Sequence, residues 1–170
     1  LHKTQNYHEW FHQGKLNTCY NCVDKHVENG KSEKVAIIYD SPITNTKKKF
    51  TYSQLLNKVS SLAASLSNLG VKKGDRVILY MPMIPEVIIS MLACARIGAI
   101  HSVVFGGFAA EELASRISDV LPKVIISASC GLEPKRIIDY KEILDKALSL
   151  TSHNPLKQII YQREQHLCKL

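Results

Sequence analysis

An α/β fold built on a mostly parallel, doubly wound sheet is what this sequence predicts, and three observations predict it. Short apolar runs rich in Val, Ile and Tyr recur at residues 76–81, 99–105, 123–128 and 157–161. Segments with helical periodicity separate them, each long enough to carry a crossover to a parallel neighbour. The runs are mainly apolar rather than strictly alternating, as strands covered on both faces are.

Taken in order, residues 1–15 are polar with interspersed aromatics and read as an extended arm. A helix is predicted over 17–27, where Leu16, Cys19, Tyr20, Val23 and Val27 repeat at helical spacing and Asn29-Gly30 supplies the stop. Residues 34–40 read as a strand and 41–49 as turn material. The next helix is the best signalled. Thr51 and Gln54 have capping-box spacing, Phe50 and Leu55 that of a hydrophobic staple. Leu55, Leu56, Val59, Leu62, Ala63, Leu66 and Leu69 then line one face, and Gly70 ends it. Strand 76–81 is entered through Lys72-Lys73-Gly74-Asp75. Pro85 opens a helix that stops at Gly98. Strand 99–105, helix 109–119, strand 123–128, helix 139–150 and strand 157–161 complete the order. The chain divides into an arm and helix (1–33), the α/β unit (34–161) and a tail (162–170).

Composition narrows the function. The 170 residues are 45% hydrophobic and 22% charged, ordinary for a globular chain. No apolar run approaches the roughly 20 residues that span a bilayer; the run at 87–95 is about half that, and Arg96 closes it. The net charge is +7, but the cations are scattered and only Lys47-Lys48-Lys49 form a run. No aromatics interleave with them as on a single-strand binding face, so nucleic acid is not expected. Five cysteines in no framework spacing suit a reducing compartment. Cys19 and Cys22 form a C-x-x-C without the second pair that a zinc site needs; His166 and Cys168 are a poor substitute. Both thiols are expected in the core.

Three loops invite a chemical reading. Gly30-Lys31-Ser32 mimics the end of a phosphate loop, but Lys25 stands where that motif needs glycine, and helix precedes and strand follows, the reverse of its context. Phe105-Gly106-Gly107-Phe108 joins a strand to a helix at the carboxyl edge of the sheet, where α/β folds bind ligands. Glu111 and Glu112 in the first turn of that helix argue against a phosphate on its end, leaving either a tight turn or a close ligand approach. Glu133-Pro134-Lys135-Arg136 lies at the same edge, as a basic surface turn or a phosphate-holding loop. His101 reads as a packed strand residue. There is no G-x-S-x-G and no H-E-x-x-H. No catalytic residue and no metal ligand is expected within the chain.

Three blocks carry a resemblance: residues 16–26 (LNTCYNCVDKH), 80–86 (YMPMIPE) and 95–108 (ARIGAIHSVVFGGF), in order and at matching spacing. They resemble acetyl-CoA and propionyl-CoA synthetases, short-chain acyl-CoA ligases of the adenylate-forming superfamily, over about residues 7–161. The resemblance implies the first part of the large N-terminal domain of those enzymes. It also implies a ligase that uses ATP with Mg2+ to adenylate propionate or acetate and then CoA to displace AMP. A mitochondrial matrix location and small-molecule partners follow from the resemblance alone. Carried over, Gly107 matches the glycine that the CoA nucleotide approaches. Glu133, Pro134, Lys135 and Arg136 match a CoA-phosphate segment that in acetyl-CoA synthetases holds two arginines. Here Glu133 replaces the first and inverts its charge, which favours the propionate-type branch; Arg136 is retained. No Ser/Thr/Gly-rich run ending Pro-Lys-Gly is present, so the resemblance implies that this chain alone does not adenylate. Residues 162–170 depart from the family pattern. The alternative is a non-catalytic CoA-binding module, or a structural or regulatory fragment.

Overall fold

In the computed structural model, described for residues 2–3, 8–9 and 11–170, the chain has the expected α/β architecture. Of the predicted arm, residues 1, 4–7 and 10 lie outside the described residues. The backbone at His2–Lys3 (β1) and His8–Glu9 (β2) pairs antiparallel. Residues 11–18 are exposed. The predicted first helix forms but is wider than an α-helix, with π-type turns at Tyr20–Asp24 and Val27–Lys31, and Gly30 takes φ +73° near its end. The wider pitch changes which residues share a face. Cys19 and Val23 are buried, whereas Cys22 is exposed, so only one of the two C-x-x-C thiols reaches the core.

Val35–Ser41 (β3) pairs antiparallel with Thr46–Thr51 (β4), correcting the expectation that residues 41–49 are all turn. The three consecutive lysines conceal this strand because lysine has low strand propensity. Lys47 pairs with Asp40 at 3.0 Å, both well exposed.

Tyr52–Asn68 (α1) starts as its cap predicts. The Gln54 N–H donates to Thr51 Oγ1 (3.3 Å), and the Thr51 N–H donates to Gln54 Oε1 (3.0 Å). Its inner face buries Leu55, Val59, Ala63 and Leu66, and Gly70 turns the chain out at φ +82°. Then come Arg76–Tyr80 (β5), Pro85–Ile97 (α2), Ile100–Val104 (β6), Ala110–Val120 (α3) and Val124–Ala128 (β7). Cys130–Glu133 (β8) and Arg136–Asp139 (β9) form a hairpin, and Tyr140–Ser149 (α4) and Lys157–Tyr161 (β10) follow.

The central sheet has the order β10-β7-β5-β6 with every pair parallel. Because strand side chains alternate faces, β5 splits cleanly. Val77 and Leu79 enter one core with Val124, Ile126 and Ala128, under α1, α2 and the first helix; Ile78 and Tyr80 enter the other with Ile125, under α3 and α4. Helices therefore cover both faces, the doubly wound arrangement. The first helix is tied to α2 by polar contacts. Arg96 donates to both Asp24 carboxylate oxygens at 2.8 Å, and the Asn17 side chain donates to Arg96 O (3.0 Å) at the α2 C-terminus. Among the described residues no helix is long and apolar enough to cross a membrane.

Candidate functional site

The carboxyl ends of β5, β6, β7 and β10 lie along one edge because the strands are parallel. The two loops singled out in the sequence leave this edge: residues 105–109 after β6, and the β8–β9 hairpin after β7.

Tyr140, the first residue of α4, brings them together. It is buried, and its ring stacks on Tyr80 with centroids 4.7 Å apart and planes at 24°. A β-carbon on Gly106 would collide with the Tyr140 hydroxyl, and one on Gly131, at the start of the hairpin, would collide with the ring edge. Neither glycine has positive φ, so space rather than backbone freedom demands glycine at both. Tyr80 donates from its hydroxyl to Phe108 O (3.3 Å), fixing the far end of the β6–α3 loop. Burial pushes the phenols of Tyr80 and Tyr140 above the ordinary tyrosine value, so both remain neutral donors at physiological pH. Sequence reasoning missed Tyr140; two glycines after the ends of the strands that flank β5, followed by an aromatic at a helix start, were the available signal.

Gly107 is exposed in a tight turn closed by Phe108 N–H to Phe105 O (3.1 Å). Its missing β-carbon leaves room for the Phe105 ring, itself 71% exposed and edge-on to Phe108. Glu133, Pro134, Lys135 and Arg136 are the tip of the hairpin, with Glu133 and Arg136 as its closing pair. This segment is thus a hairpin turn rather than a simple loop after the third strand. The Glu133 carboxylate takes the Arg136 guanidinium, at 2.7 Å from Nε and 3.3 Å from NH2. That hydrogen bond and charge hold the Glu133 carboxyl below its ordinary value. Arg136 is therefore internally paired, while Lys135 makes no ion pair among the described residues. Residues 132–137 form one wall of a shallow groove whose other wall is Ile43, Thr44 and Gln165.

The other candidates stay apart from this edge. Gly30-Lys31-Ser32 closes the first helix and precedes β3. His101 is half-buried within β6, and burial lowers its pKa. No cluster of three or more His, Cys, Asp or Glu side chains that could hold a metal ion occurs among the described residues.

Comparison with known proteins matches the two-layered core, the hairpin and most of the tail to one pattern. The sequence pattern described as "AMP-binding enzyme" covers residues 23–167, and so runs into the segment 162–170. Acyl-CoA synthetase short-chain family member 3, mitochondrial, of Homo sapiens is 58% identical over 154 residues, which are 91% of this chain and 22% of that protein. Acyl-CoA synthetase short-chain family member B, mitochondrial, of Dictyostelium discoideum is 51% identical over 156 residues. Propionate–CoA ligase of Escherichia coli K12 is 45% identical over 162 residues, 95% of this chain and 26% of that protein. The chain thus spans about a quarter of the length of these relatives. With 145 consecutive residues, from the buried Val23 onward, following one family's pattern, the chain belongs to the AMP-binding enzymes.

Proposed function

We propose that this chain supplies the front part of an ATP-dependent short-chain acyl-CoA ligase, which converts propionate or acetate, ATP and CoA to acyl-CoA, AMP and pyrophosphate. The observation that carries this reading is the identity to acyl-CoA synthetases and a propionate–CoA ligase over more than nine-tenths of the chain. The names of the relatives support a mitochondrial location. In the whole enzyme ATP with Mg2+ supplies the activating chemistry.

Within that enzyme the role of this chain is to bind CoA. Gly107 is exposed in the β6–α3 turn, where an approaching nucleotide would meet the Phe105 ring packed against it, and the hairpin tip offers Lys135 directly and Arg136 once a phosphate displaces Glu133. Competition from Glu133 weakens the anion contact, because a charge-assisted pair already occupies the guanidinium. Lys135 is accordingly the main phosphate contact.

Two measurements test this. Calorimetry of the 170-residue chain should show CoA bound more tightly than dephospho-CoA, and Lys135→Ala should erase the difference; equal affinity for the two ligands refutes the 3′-phosphate contact. The chain on its own should give no propionate-dependent ATP–pyrophosphate exchange, and measurable exchange overturns the assignment of adenylation to the rest of the enzyme.

A further inference from the structure

The hairpin that carries the proposed phosphate contacts is held at its root by residues that no motif marks. The root pair is Cys130 on β8 and Asp139 on β9, and the segment after β10 grips both. The Arg163 N–H donates to Ser129 Oγ (2.8 Å), and its guanidinium NH1 donates to Cys130 O (3.1 Å). His166 Nε2 lies 2.9 Å from Asp139 Oδ2, while the other carboxylate oxygen of Asp139 accepts from the Glu142 N–H (2.9 Å) at the start of α4. One step earlier, the Ser129 N–H donates to Tyr161 O (2.9 Å).

The grip is itself braced. The His166 N–H donates to Arg163 O (3.1 Å), closing a turn, and the Gln162 side chain bonds both Cys168 O (2.8 Å) and the Cys168 N–H (3.0 Å). Arg163 is 8% exposed and has no carboxylate within ion-pair distance among the described residues. A cation buried without a counter-ion is costly, and here its identified hydrogen bond is to the hairpin root. Gln165, between the two gripping residues, lines the groove opposite the hairpin tip.

We infer that Arg163 and His166 are positioning residues that clamp the root of the β8–β9 hairpin and so set the pose of its tip. The clamp stands on the hydrogen bonds alone; its consequence for CoA rests on the proposed function. The hairpin is two four-residue strands paired only to each other, and an isolated hairpin is marginally stable in water. Its order therefore depends on what holds its root.

Amide hydrogen exchange of the 170-residue chain tests this, comparing residues 131–138 with β5 and α1 as internal references. His166→Ala should speed exchange across the hairpin by about three- to tenfold, the range one hydrogen bond commands, and leave β5 and α1 unchanged. His166→Gln, whose amide N–H can stand in for Nε2, should restore the parent rates. Arg163→Met should act in the same direction as His166→Ala. Unchanged hairpin exchange in His166→Ala, or equal acceleration throughout the sheet, overturns the clamp. Calorimetry on the same proteins keeps the two ideas distinct. CoA affinity should fall in His166→Ala and return in His166→Gln, whereas absence of CoA binding by the parent refutes the functional reading and leaves the exchange result to decide the clamp.

Discussion

Replacing Gly106 by alanine tests the convergence of the two loops on Tyr140. The new β-carbon would overlap the Tyr140 hydroxyl and lie 2.8 Å from the ring carbon that bears it, well inside the roughly 3.5–4.0 Å at which carbons attract. Tyr140 has little room to retreat, since Tyr80 stacks on one face and Gly131 meets the ring edge. The substitution should cost about 3 kcal/mol, the upper part of the overpacking range, and lower Tm by about 6–12 °C at about 2–4 °C per kcal/mol for a chain of this size. Tyr140→Phe removes the nearest contact, so in the Gly106→Ala background it should recover about 1 kcal/mol or more. For Gly131→Ala the nearest atoms are ring carbons and the hydroxyl comes third, at 2.9 Å, so Tyr140→Phe should recover almost nothing. Urea unfolding followed by far-ultraviolet circular dichroism gives both coupling energies by double-mutant cycles. Equal coupling in the two cycles, or a Gly106→Ala protein as stable as the parent, refutes the packing argument.

Three further outcomes follow from the structure. The Thr44 hydroxyl is buried and has no hydrogen-bond partner among the described residues, so Thr44→Val should be neutral or stabilise by up to about 1 kcal/mol in the same unfolding assay. Asp75 accepts from the Lys72 N–H (2.7 Å) and from Lys123 (3.0 Å), and these contacts depress its pKa. Its contribution is therefore present above the unfolded carboxylate value and lost as pH falls through the lower folded value; Asp75→Asn should flatten the stability profile below about pH 4. A thiol-exchange reagent at mild alkaline pH should modify exposed Cys22 first and Cys94 last, because burial pushes the Cys94 thiol up to about 12. Rapid modification of Cys94 in the folded chain would contradict its burial.

The long, strongly patterned elements were legible because local and tertiary signals agree there. The Thr51–Gln54 box begins α1 where predicted, Pro85 and Gly98 bracket α2 as read, and β10 has the predicted bounds. The elements that escaped are those whose sequence opposes their fold. β4 is mostly lysine and threonine and pairs in an exposed ribbon, so neither propensity nor alternation marks it. The β8–β9 hairpin turns through Pro134 and Lys135 without the Asn-Gly or Gly-X pair that announces a tight hairpin. An α-helical pitch over 17–27 puts Cys22 in the core; the helix instead takes π-type turns, and Cys22 is exposed.

The candidate site was legible in a different sense. Residues alone left Gly107 and the 133–136 turn open between a plain turn and a ligand contact, and only the resemblance chose between them. Geometry then adds what neither source offers, because the link between the two loops is a single side chain. Tyr140 touches Gly106 from one strand end and Gly131 from the next, positions that periodicity analysis treats as unrelated punctuation. It also follows Asp139, which starts α4 and meets His166. The packing that places the β6–α3 turn and the clamp that places the hairpin are therefore adjacent in sequence, at residues 139 and 140. A change at either should disturb both loops together, which makes simultaneous exchange changes at 105–108 and 131–138 the signature of one coupled edge rather than two independent turns.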